Sequence, residues 1–215
     1  NQKRVRDAVI TDRPYVSSEL ADALSQVAYP LHFLDFETFN PALPVYPGTR
    51  PYQVIPFQWS LHVQDSPGSE PSNTSFLHDG GDDPREAFTR NLIDAISPQG
   101  TIQVYSSYEQ TIIGQLAGQF PQYQDRLLDL PGRFLDLLAL VRAHCYHPDF
   151  HGSYSIKAVL PALVPDMTYS DLEIQDGANA SVAFARMIAP DTEQTERERI
   201  RSALLDYCQR DTHAM

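Results

Sequence analysis

The sequence predicts an α/β fold: a mixed β-sheet that begins as a three-stranded antiparallel meander, continues with parallel strands and is flanked by helices. Apolar runs separated by turn-rich segments occur at residues 31–36, 54–63 and 74–78, which is the pattern of consecutive strands. From residue 83 the apolar residues recur at helical spacing, and a strand at 101–106 lies between two such helices. This alternation of strands and helices is typical of parallel strands joined by right-handed crossovers.

The first half of the chain supplies a lead-in and the meander. Residues 1–30 are polar, and SSELADALSQV at 17–27 predicts a short helix capped by Ser18. Pro56 predicts either the start of the second strand or an edge position. The segment DSPGSEPSN at 65–73 has turn composition, so we expect a long loop between the second and third strands.

The second half predicts helices around the parallel strands. One helix begins at Pro84 and ends before Pro98, and a second follows the strand at 101–106. FLDLLALV at 134–141 fits either a short strand running into a helix or a helix throughout, because periodicity does not separate the two. Three further helices are expected in the segments SIKAVLPAL, ANASVAFARMI and TEQTERERIRSALLDYCQRDTHAM.

Length and composition indicate the class of protein. The 215 residues, 42% of them hydrophobic, suit a lead-in at 1–30 followed by one domain at 31–215. Because the chain starts at Asn1 and stops at Met215 within an expected helix, we expect a piece of a longer protein with further domains as partners. No apolar stretch approaches the roughly 20 residues of a membrane span, and no signal peptide is visible. We therefore expect a soluble, cytoplasmic protein with no membrane partner.

Charge and cysteine usage exclude several functions. Acids outnumber bases by 28 to 16, giving a net charge of −12, so the chain as a whole repels polyanions. Any contact with nucleic acid is therefore local, and we expect this chain alone to bind it weakly. Cys145 and Cys208 are far apart and lack zinc-ligand spacing, which argues against a disulfide framework. His144, His147 and His151 surround Cys145, but a proline interrupts this run and no zinc is assigned.

The first strand candidate, LHFLDFETFN at 31–40, carries two acids. Residues two apart on a strand project to one face, so Asp35 and Glu37 lie side by side while Leu34 and Phe36 point to the other. Two buried carboxylates repel each other and lose hydration, which is costly unless a positive charge neutralises them. A divalent cation would do so. The alternative is a strand end with both acids in water.

Two further positions extend this pattern. Glu109 lies in the first turn of the helix after the fourth strand, where a carboxylate also stabilises a helix N-terminus, and Ser106 or Ser107 can cap that helix. In the last helix Tyr207 and Asp211 are four residues apart and share a face. An ordinary amphipathic helix end also accounts for this pair. The order of these side chains along the chain carries the functional signal.

FLDFET, SSYEQ and YCQRD follow the order of three motifs of the DEDD superfamily of 3′-to-5′ exonucleases, whose tyrosine branch the chain resembles. The resemblance covers the chain from about residue 31 to its end and implies a ribonuclease-H-like fold with a mixed five-stranded sheet. The second motif departs from the family pattern Asn-x-x-Phe-Asp, because this sequence has Ser106 and Glu109 at the corresponding places. Glu109 is still able to bind a metal, and Asp136 in RFLDLL is the reserve candidate.

The chain is also similar to a bacterial family of predicted ribonuclease-H-like nuclease domains that carry FLDFET, IPFQ, GSYSIKAVLP and YCxxDTxAM stretches. Here these are IPFQ at 55–58, GSYSIKAVLP at 152–161 and YCQRDTHAM at 207–215. Members of that family are often the C-terminal part of a longer protein, and their activity is inferred. This similarity defines the expected fold more closely than the substrate.

The exonuclease resemblance implies two Mg²⁺ or Mn²⁺ ions about 3.5 to 4 Å apart, held by Asp35, Glu37, Glu109 and Asp211. It also implies hydrolysis of the terminal phosphodiester at a 3′ end of DNA or RNA, with Asp35 bridging both ions. Tyr207 would orient or deprotonate the attacking water, although a free phenol with a pKa near ~10 is a weak base.

Three residues near these acids have alternative roles. Thr38 and Phe39 would lie beside the terminal nucleotide, and Phe39 either offers a ring for base stacking or is a core side chain. Lys157 would meet a phosphate if its helix faces the cleft. Otherwise it is a solvated residue in a helix capped by Ser155.

Two rival functions follow from the same residues. A nuclease-like domain that has lost activity and serves as a binding or scaffolding module would account for Glu109 and for the net charge of −12. A glycosidase would use paired carboxylates about 5 to 9.5 Å apart without a metal. Metal titration separates the inactive module from the exonuclease, and insensitivity to chelators would indicate the glycosidase.

Overall fold

The computed structural model describes residues 2–215. Its strands are β1 (Tyr15–Val16), β2 (Leu31–Phe39), β3 (Ile55–Gln64), β4 (Ser72–Leu77), β5 (Ile102–Val104), β6 (Phe134–Asp136) and β7 (Cys145–Tyr146). Its α-helices are α1 (Gln2–Thr11), α2 (Leu20–Leu24), α3 (Pro84–Ala95), α4 (Tyr108–Gln119), α5 (Gln124–Asp129), α6 (Leu137–His144), α7 (Ile156–Leu163), α8 (Gly177–Met187) and α9 (Gln194–His213). Among these residues, no helix is both long and apolar enough to cross a membrane.

A five-stranded mixed sheet in the order β4-β3-β2-β5-β6 forms the centre of the described residues. β2, β3 and β4 pair antiparallel, whereas β5 runs parallel to β2 and β6 parallel to β5. The predicted fold class, an α/β ribonuclease-H-like arrangement with a meander followed by parallel strands, is confirmed. Pro56 lies near the start of β3, which is an internal strand of the sheet, and next to the register shift where Glu37 pairs with Gln58 and Thr38 pairs with Pro56, so the edge interpretation is wrong.

The ambiguous segment at 134–141 forms a short strand followed by a helix, the first of the two predicted alternatives. Asp136 ends β6 and begins α6, because its side chain accepts a hydrogen bond from the Ala139 backbone N–H at 3.0 Å. Such an acceptor satisfies one of the free N–H groups in the first turn of a helix. The strand and the helix therefore meet at a single capping residue.

Helices cover both faces of the sheet. On one face α3 and α4 pack onto an apolar cluster that includes Leu34 and Phe36 of β2. On the other face α8 and α9 pack against a second cluster, which includes Phe39 and Phe57. Because a fully buried side chain of this size contributes roughly 1.5 to 3 kcal/mol, these two clusters hold the three layers together.

The N-terminal lead-in packs onto the domain. The helix α1, which the sequence analysis did not predict, buries Ala8 in a small cluster with Tyr146, Phe150 and Val159. β1 pairs antiparallel with β7, in the segment that follows α6. The predicted boundary at residue 30 therefore separates two pieces of sequence that contact each other.

The helix predicted at 17–27 is shorter than expected, and its predicted cap is wrong. Glu19 occupies the N-cap position of α2, and the Ser17 hydroxyl, not Ser18, accepts a hydrogen bond from the Glu19 backbone N–H. Leu24, an apolar residue of this helix, is exposed. This helix therefore buries too little apolar surface to extend further.

The approach of β5 to the start of β2 is close at Gly100. This residue has a φ of +88°, which favours glycine, and a Cβ atom there would lie 1.9 Å from the Pro30 carbonyl oxygen. Immediately after it, Thr101 accepts a hydrogen bond from the His32 backbone N–H. The absence of a side chain at residue 100 thus permits the parallel pairing of β2 with β5.

Candidate metal centre

The acid pair on β2 lies where this strand loses its partner on one side. β2 pairs with β5 only at His32 and Phe33, so Asp35 and Glu37 follow the last paired residues. Sites in α/β folds form in such openings at the carboxyl ends of parallel strands. The prediction that Asp35 and Glu37 share one face of β2 is confirmed, because Leu34 and Phe36 belong to the apolar cluster on the opposite face.

Asp35 and Glu37 form a compact group with a thiol. The ligand atoms of Asp35, Glu37 and Cys208 lie within 4.8 Å of one another, and this desolvated cluster could hold a metal ion. The Cys208 Sγ is 3.6 Å from Asp35 Oδ2. The sequence analysis considered Cys208 only as a disulfide or zinc-ligand candidate, although its place between Tyr207 and Asp211 was a signal that could have identified it.

Asp211 and Glu109 approach this pair from α9 and α4, outside the 4.8 Å group. Both are almost fully buried, with 5% and 3% of their surface exposed. Their charges, with that of Glu37, oppose ionisation of Asp35, so the four predicted acids interact electrostatically. The Oε2 atom of Glu109 is buried and has no hydrogen-bond partner among the described residues. Leaving such an oxygen unpaired costs about 1 to 3 kcal/mol, which a bound cation would recover.

Burial is the main reason why these acids resist ionisation. It raises the pKa of Asp35 well above its usual value, the pKa of Glu37 to about 8 and that of Glu109 to about 7. Burial also raises the pKa of Asp211, although a hydrogen bond from Tyr169 opposes this shift. A divalent cation reverses this effect because it favours the charged carboxylates.

Tyr207 lies beside the acids and is hydrogen-bonded to a cation. The Lys157 Nζ donates to Tyr207 Oη at 2.8 Å and lies 4.8 Å from the ring centroid. Burial, followed by the charges of Glu37 and Asp211, raises the pKa of Tyr207, which keeps the phenol protonated. The interpretation of Lys157 as a solvated residue is therefore wrong. Ser155 occupies the N-cap position of α7, but its side chain makes no capping hydrogen bond.

Tyr169 is a member of the site that the sequence analysis missed. This residue, in the loop between α7 and α8, donates its hydroxyl to Asp211 Oδ1 at 2.5 Å. Lys157 Nζ lies 5.5 Å from its ring centroid. No motif contained it, because a loop residue reaches Asp211 only through the tertiary fold.

Two cavities in the described residues meet at the acids, and both are lined by Asp35, Tyr207 and Asp211. The larger has a volume of about 600 Å³, and its other walls include Glu37, Thr38, Tyr108, Ser181 and Val182. The smaller has a volume of about 480 Å³, and its other walls include Tyr105, Arg142, Tyr154 and Lys157. A ligand can therefore approach the same acids from two sides.

Thr38 and Phe39, both predicted to contact the terminal nucleotide, have different environments. Thr38 lines the larger cavity, and its Oγ1 lies 2.6 Å from the Tyr108 hydroxyl oxygen. Phe39 is buried, and its ring contacts those of Phe57 and Phe184 edge to face. Phe39 is thus the core side chain that the sequence allowed as an alternative. Its assignment to substrate binding is wrong, because the ring has no exposed face.

The segment before Glu109 is strained. Ser106 has a φ of 143°, a conformation that costs about 1 to 3 kcal/mol in a residue other than glycine, and its hydroxyl accepts from the Tyr108 backbone N–H. Ser107 occupies the N-cap position of α4 without a side-chain hydrogen bond. The reserve candidate Asp136 raises the pKa of Glu109, but one of its oxygens is already used to cap α6.

Residues 32–155 match the sequence model of a family described as a domain of unknown function (DUF2779). This segment is more than half of the 215 residues. No curated protein and no solved structure matches the chain. Asp35, Glu37 and Glu109 lie inside the matched segment, whereas Tyr207 and Asp211 lie beyond it.

Proposed function

Because the chain belongs to the DUF2779 family, whose description names no activity, we propose a function from its site: metal-dependent 3′-to-5′ exonuclease action on DNA or RNA. One observation carries the proposal, namely the convergence of four desolvated acids from three elements beneath two open cavities. A purely structural protein gains nothing from this arrangement, because each buried carboxylate costs free energy until a cation neutralises it.

The donor set fits hard divalent cations. Carboxylate oxygens are preferred ligands of Mg²⁺ and Mn²⁺, and the buried Oε2 of Glu109, unpaired among the described residues, has the character of a ligand atom. Two such ions would be held by Asp35, Glu37, Glu109 and Asp211. When bound, they supply the positive charge that polarises a phosphodiester and acidifies a water molecule.

Cys208 supports Asp35 in this proposal, because Mg²⁺ and Mn²⁺ prefer oxygen ligands to a thiol. Burial, followed by the charges of Asp35 and Glu37, raises the pKa of the Cys208 thiol well above its usual value. The group therefore keeps its proton, which it donates to Asp35. This hydrogen bond limits the rotation of the Asp35 carboxylate, as an outer partner of a metal ligand does.

Tyr207 orients the attacking water. Because its raised pKa keeps the phenol protonated, Tyr207 acts at neutral pH through hydrogen bonds and not as a base. The hydrogen bond from Lys157 fixes the position of its oxygen before substrate binds. Thr38, in the wall of the larger cavity, contacts the terminal nucleotide.

The test is degradation of DNA and RNA oligonucleotides labelled at either end, in the presence of Mn²⁺. A 5′ label is expected to appear in a ladder of shortening products, and a 3′ label in mononucleotides from the start. Asp211→Asn is expected to slow cleavage by more than about 100-fold, because it removes a proposed metal ligand.

The matched control is Asp206→Asn, the same chemical change at an exposed position of α9, which is expected to leave the rate unchanged. Equal rates in both variants, or cleavage unaffected by a chelator, would contradict the proposal. If Mn²⁺ binds and no oligonucleotide is cleaved, the chain is the inactive module instead.

A further inference from the structure

We propose that the smaller cavity is a binding subsite for the phosphate backbone of a single-stranded polynucleotide, contacted by Arg142 and Lys157. This inference rests on the proposed function and deepens it. It specifies on which side of the acids the body of the strand lies, and which side chains recognise that strand.

The first argument is that Arg142 and Lys157 form no salt bridge, although the charge of Lys157 acts on Glu37 and Asp211. Of the ion pairs formed within residues 2–215, none includes either side chain. Arg186, Arg199 and Arg210, in contrast, each pair with an acid. Because Arg142 and Lys157 line a cavity that also contains Asp35 and Asp211, they place positive charge next to the acids in a chain with a net charge of −12.

Both cations have hydrogen-bond donors left for a ligand. Lys157 uses one N–H on the Tyr207 hydroxyl oxygen, and an ammonium group has three. Arg142 is exposed, with its guanidinium carbon 5.9 Å from the centroid of the Tyr154 ring. Contact with an aromatic ring orients the guanidinium while its N–H groups stay available, which suits a phosphate oxygen.

The second argument is the difference in charge between the two cavities. Among the described residues, no Lys or Arg lines the larger cavity, whereas Arg142 and Lys157 both line the smaller. A 3′-terminal nucleoside carries no phosphate beyond the bond to be cut, so the larger cavity suits the end of a strand. The rest of the strand carries one negative charge per nucleotide and suits the smaller cavity.

The third argument is continuity. Because Asp35, Tyr207 and Asp211 line both cavities, a strand that extends from one cavity into the other places a phosphodiester at the proposed metal ligands. Volumes of about 480 and 600 Å³ are those of small-molecule pockets, which accommodate one or two nucleotides and exclude a duplex. Contacts to phosphates carry no base information, so recognition is independent of sequence.

The experiment measures binding of fluorescent single strands by anisotropy, using the full chain with Asp211→Asn to prevent cleavage. Adding Arg142→Gln is expected to weaken binding about 3- to 10-fold, equally for homopolymers of different bases. The slope of log affinity against log salt is expected to fall by about 0.7 for the lost phosphate contact. Arg90→Gln, the same change at an exposed position of α3 outside both cavities, is expected to alter neither quantity.

Lys157→Gln is expected to reduce the salt slope as well, but it also removes the hydrogen bond to Tyr207, so Arg142→Gln is the cleaner test. An unchanged affinity and slope in Arg142→Gln would overturn the proposal. So would a duplex that binds as tightly as a single strand with the same dependence on Arg142.

Failure of this inference is distinguishable from failure of the proposed function. If the unmodified chain cleaves oligonucleotides and Arg142→Gln leaves KM unchanged, the subsite is refuted while the exonuclease stands. If Arg142→Gln reduces the salt slope and no metal supports cleavage, the subsite stands and the exonuclease is refuted.

Discussion

The two faces of β2 have opposite effects on stability. Leu34 and Phe36, on one face, are 0% and 4% exposed and contact the helices α3 and α4 through an apolar cluster. Asp35 and Glu37, on the other, are acids whose pKa values are raised first by burial and then by the charges of neighbouring acids, including Asp211. An apolar side chain buried in this way stabilises the fold by roughly 1.5 to 3 kcal/mol, whereas a buried carboxylate opposes folding until it is neutralised. Between residues 34 and 37, this strand therefore places apolar, stabilising side chains on one face and desolvated acids on the other.

The largest expected effect comes from truncating the apolar face. Phe36→Ala removes a ring that packs edge to face on Phe88 at a centroid distance of 5.0 Å, and it is expected to lower the free energy of unfolding by about 3 to 5 kcal/mol. Urea unfolding followed by circular dichroism measures this change. Leu43→Ala, at a position that is 77% exposed, is expected to change it by less than about 0.5 kcal/mol. Similar losses in both variants would contradict the comparison.

The acidic face is expected to make metal-free stability fall as the pH rises. Burial raises the pKa to about 8 for Glu37 and to about 7 for Glu109, both from an ordinary value of 4.5. Below pH ~4.5 these groups are protonated in both states, and above it the unfolded chain ionises first, which favours unfolding until the pH passes the folded-state values. We therefore expect the free energy of unfolding to fall by several kcal/mol between pH 5 and pH 8 in a chelator.

Urea midpoints at several pH values, with chelator or with Mn²⁺, test this dependence. In Mn²⁺, the free energy of unfolding is expected to fall less with rising pH than in chelator. The cation binds the ionised carboxylates of the folded state and so offsets the cost of burying them. Glu37→Gln is expected to reduce the slope in chelator, since it removes one of the two groups. A metal-free stability that stays constant or rises over this range would count against the assigned pKa shifts.

Substitution of Asp35 is expected to change the free energy of unfolding less than Phe36→Ala does, and in the opposite direction. Asp35→Asn removes a charge that the other acids oppose, so it is expected to stabilise the metal-free chain at pH 8 by about 1 to 3 kcal/mol. The same change is expected to abolish Mn²⁺ binding measured by calorimetry. Asp206→Asn is expected to change neither property, and a destabilised Asp35→Asn variant would remove the contrast between the two faces.

The smallest expected effect is at the edge of the acidic face. Thr38→Val removes the 2.6 Å hydrogen bond to Tyr108 that joins β2 to α4, and it is expected to cost about 0.5 to 1.5 kcal/mol. Thr74→Val, on the exposed side of β4, provides the control for the same chemical change. Chemical denaturation of both variants gives the difference. A Thr38 variant as stable as its control would mean that this hydrogen bond only replaces one made with water.

Local periodicity accounts for what the sequence predicted well. The two-residue period of a strand was sufficient to assign Asp35 and Glu37 to one face and Leu34 and Phe36 to the other. The helical period likewise brought Tyr207 and Asp211 together on α9. Each of these predictions concerned neighbours on one element, where backbone geometry alone determines which side chains meet.

Side chains that meet only through the tertiary fold were not predictable. Tyr169 reaches Asp211 from a loop, and Lys157 reaches Tyr207 from a separate helix. Phe39 has the same strand period as the acids, and only the packing of Phe184 from α8 makes it a core residue. The helix α1 was missed because its sequence is polar and it buries only Ala8 among its residues.

Gly100 allows the spacing of the acids to be adjusted from outside the site. Any side chain at this position would press against the Pro30 carbonyl, immediately before β2, and would displace β5 together with the helix that follows it. Glu109 would then move relative to Asp35 without a substitution at any of the proposed metal ligands. Substituting progressively larger residues at position 100 would displace β5 by increasing amounts. The Mn²⁺ affinity of each variant would then measure how much displacement the proposed metal site tolerates.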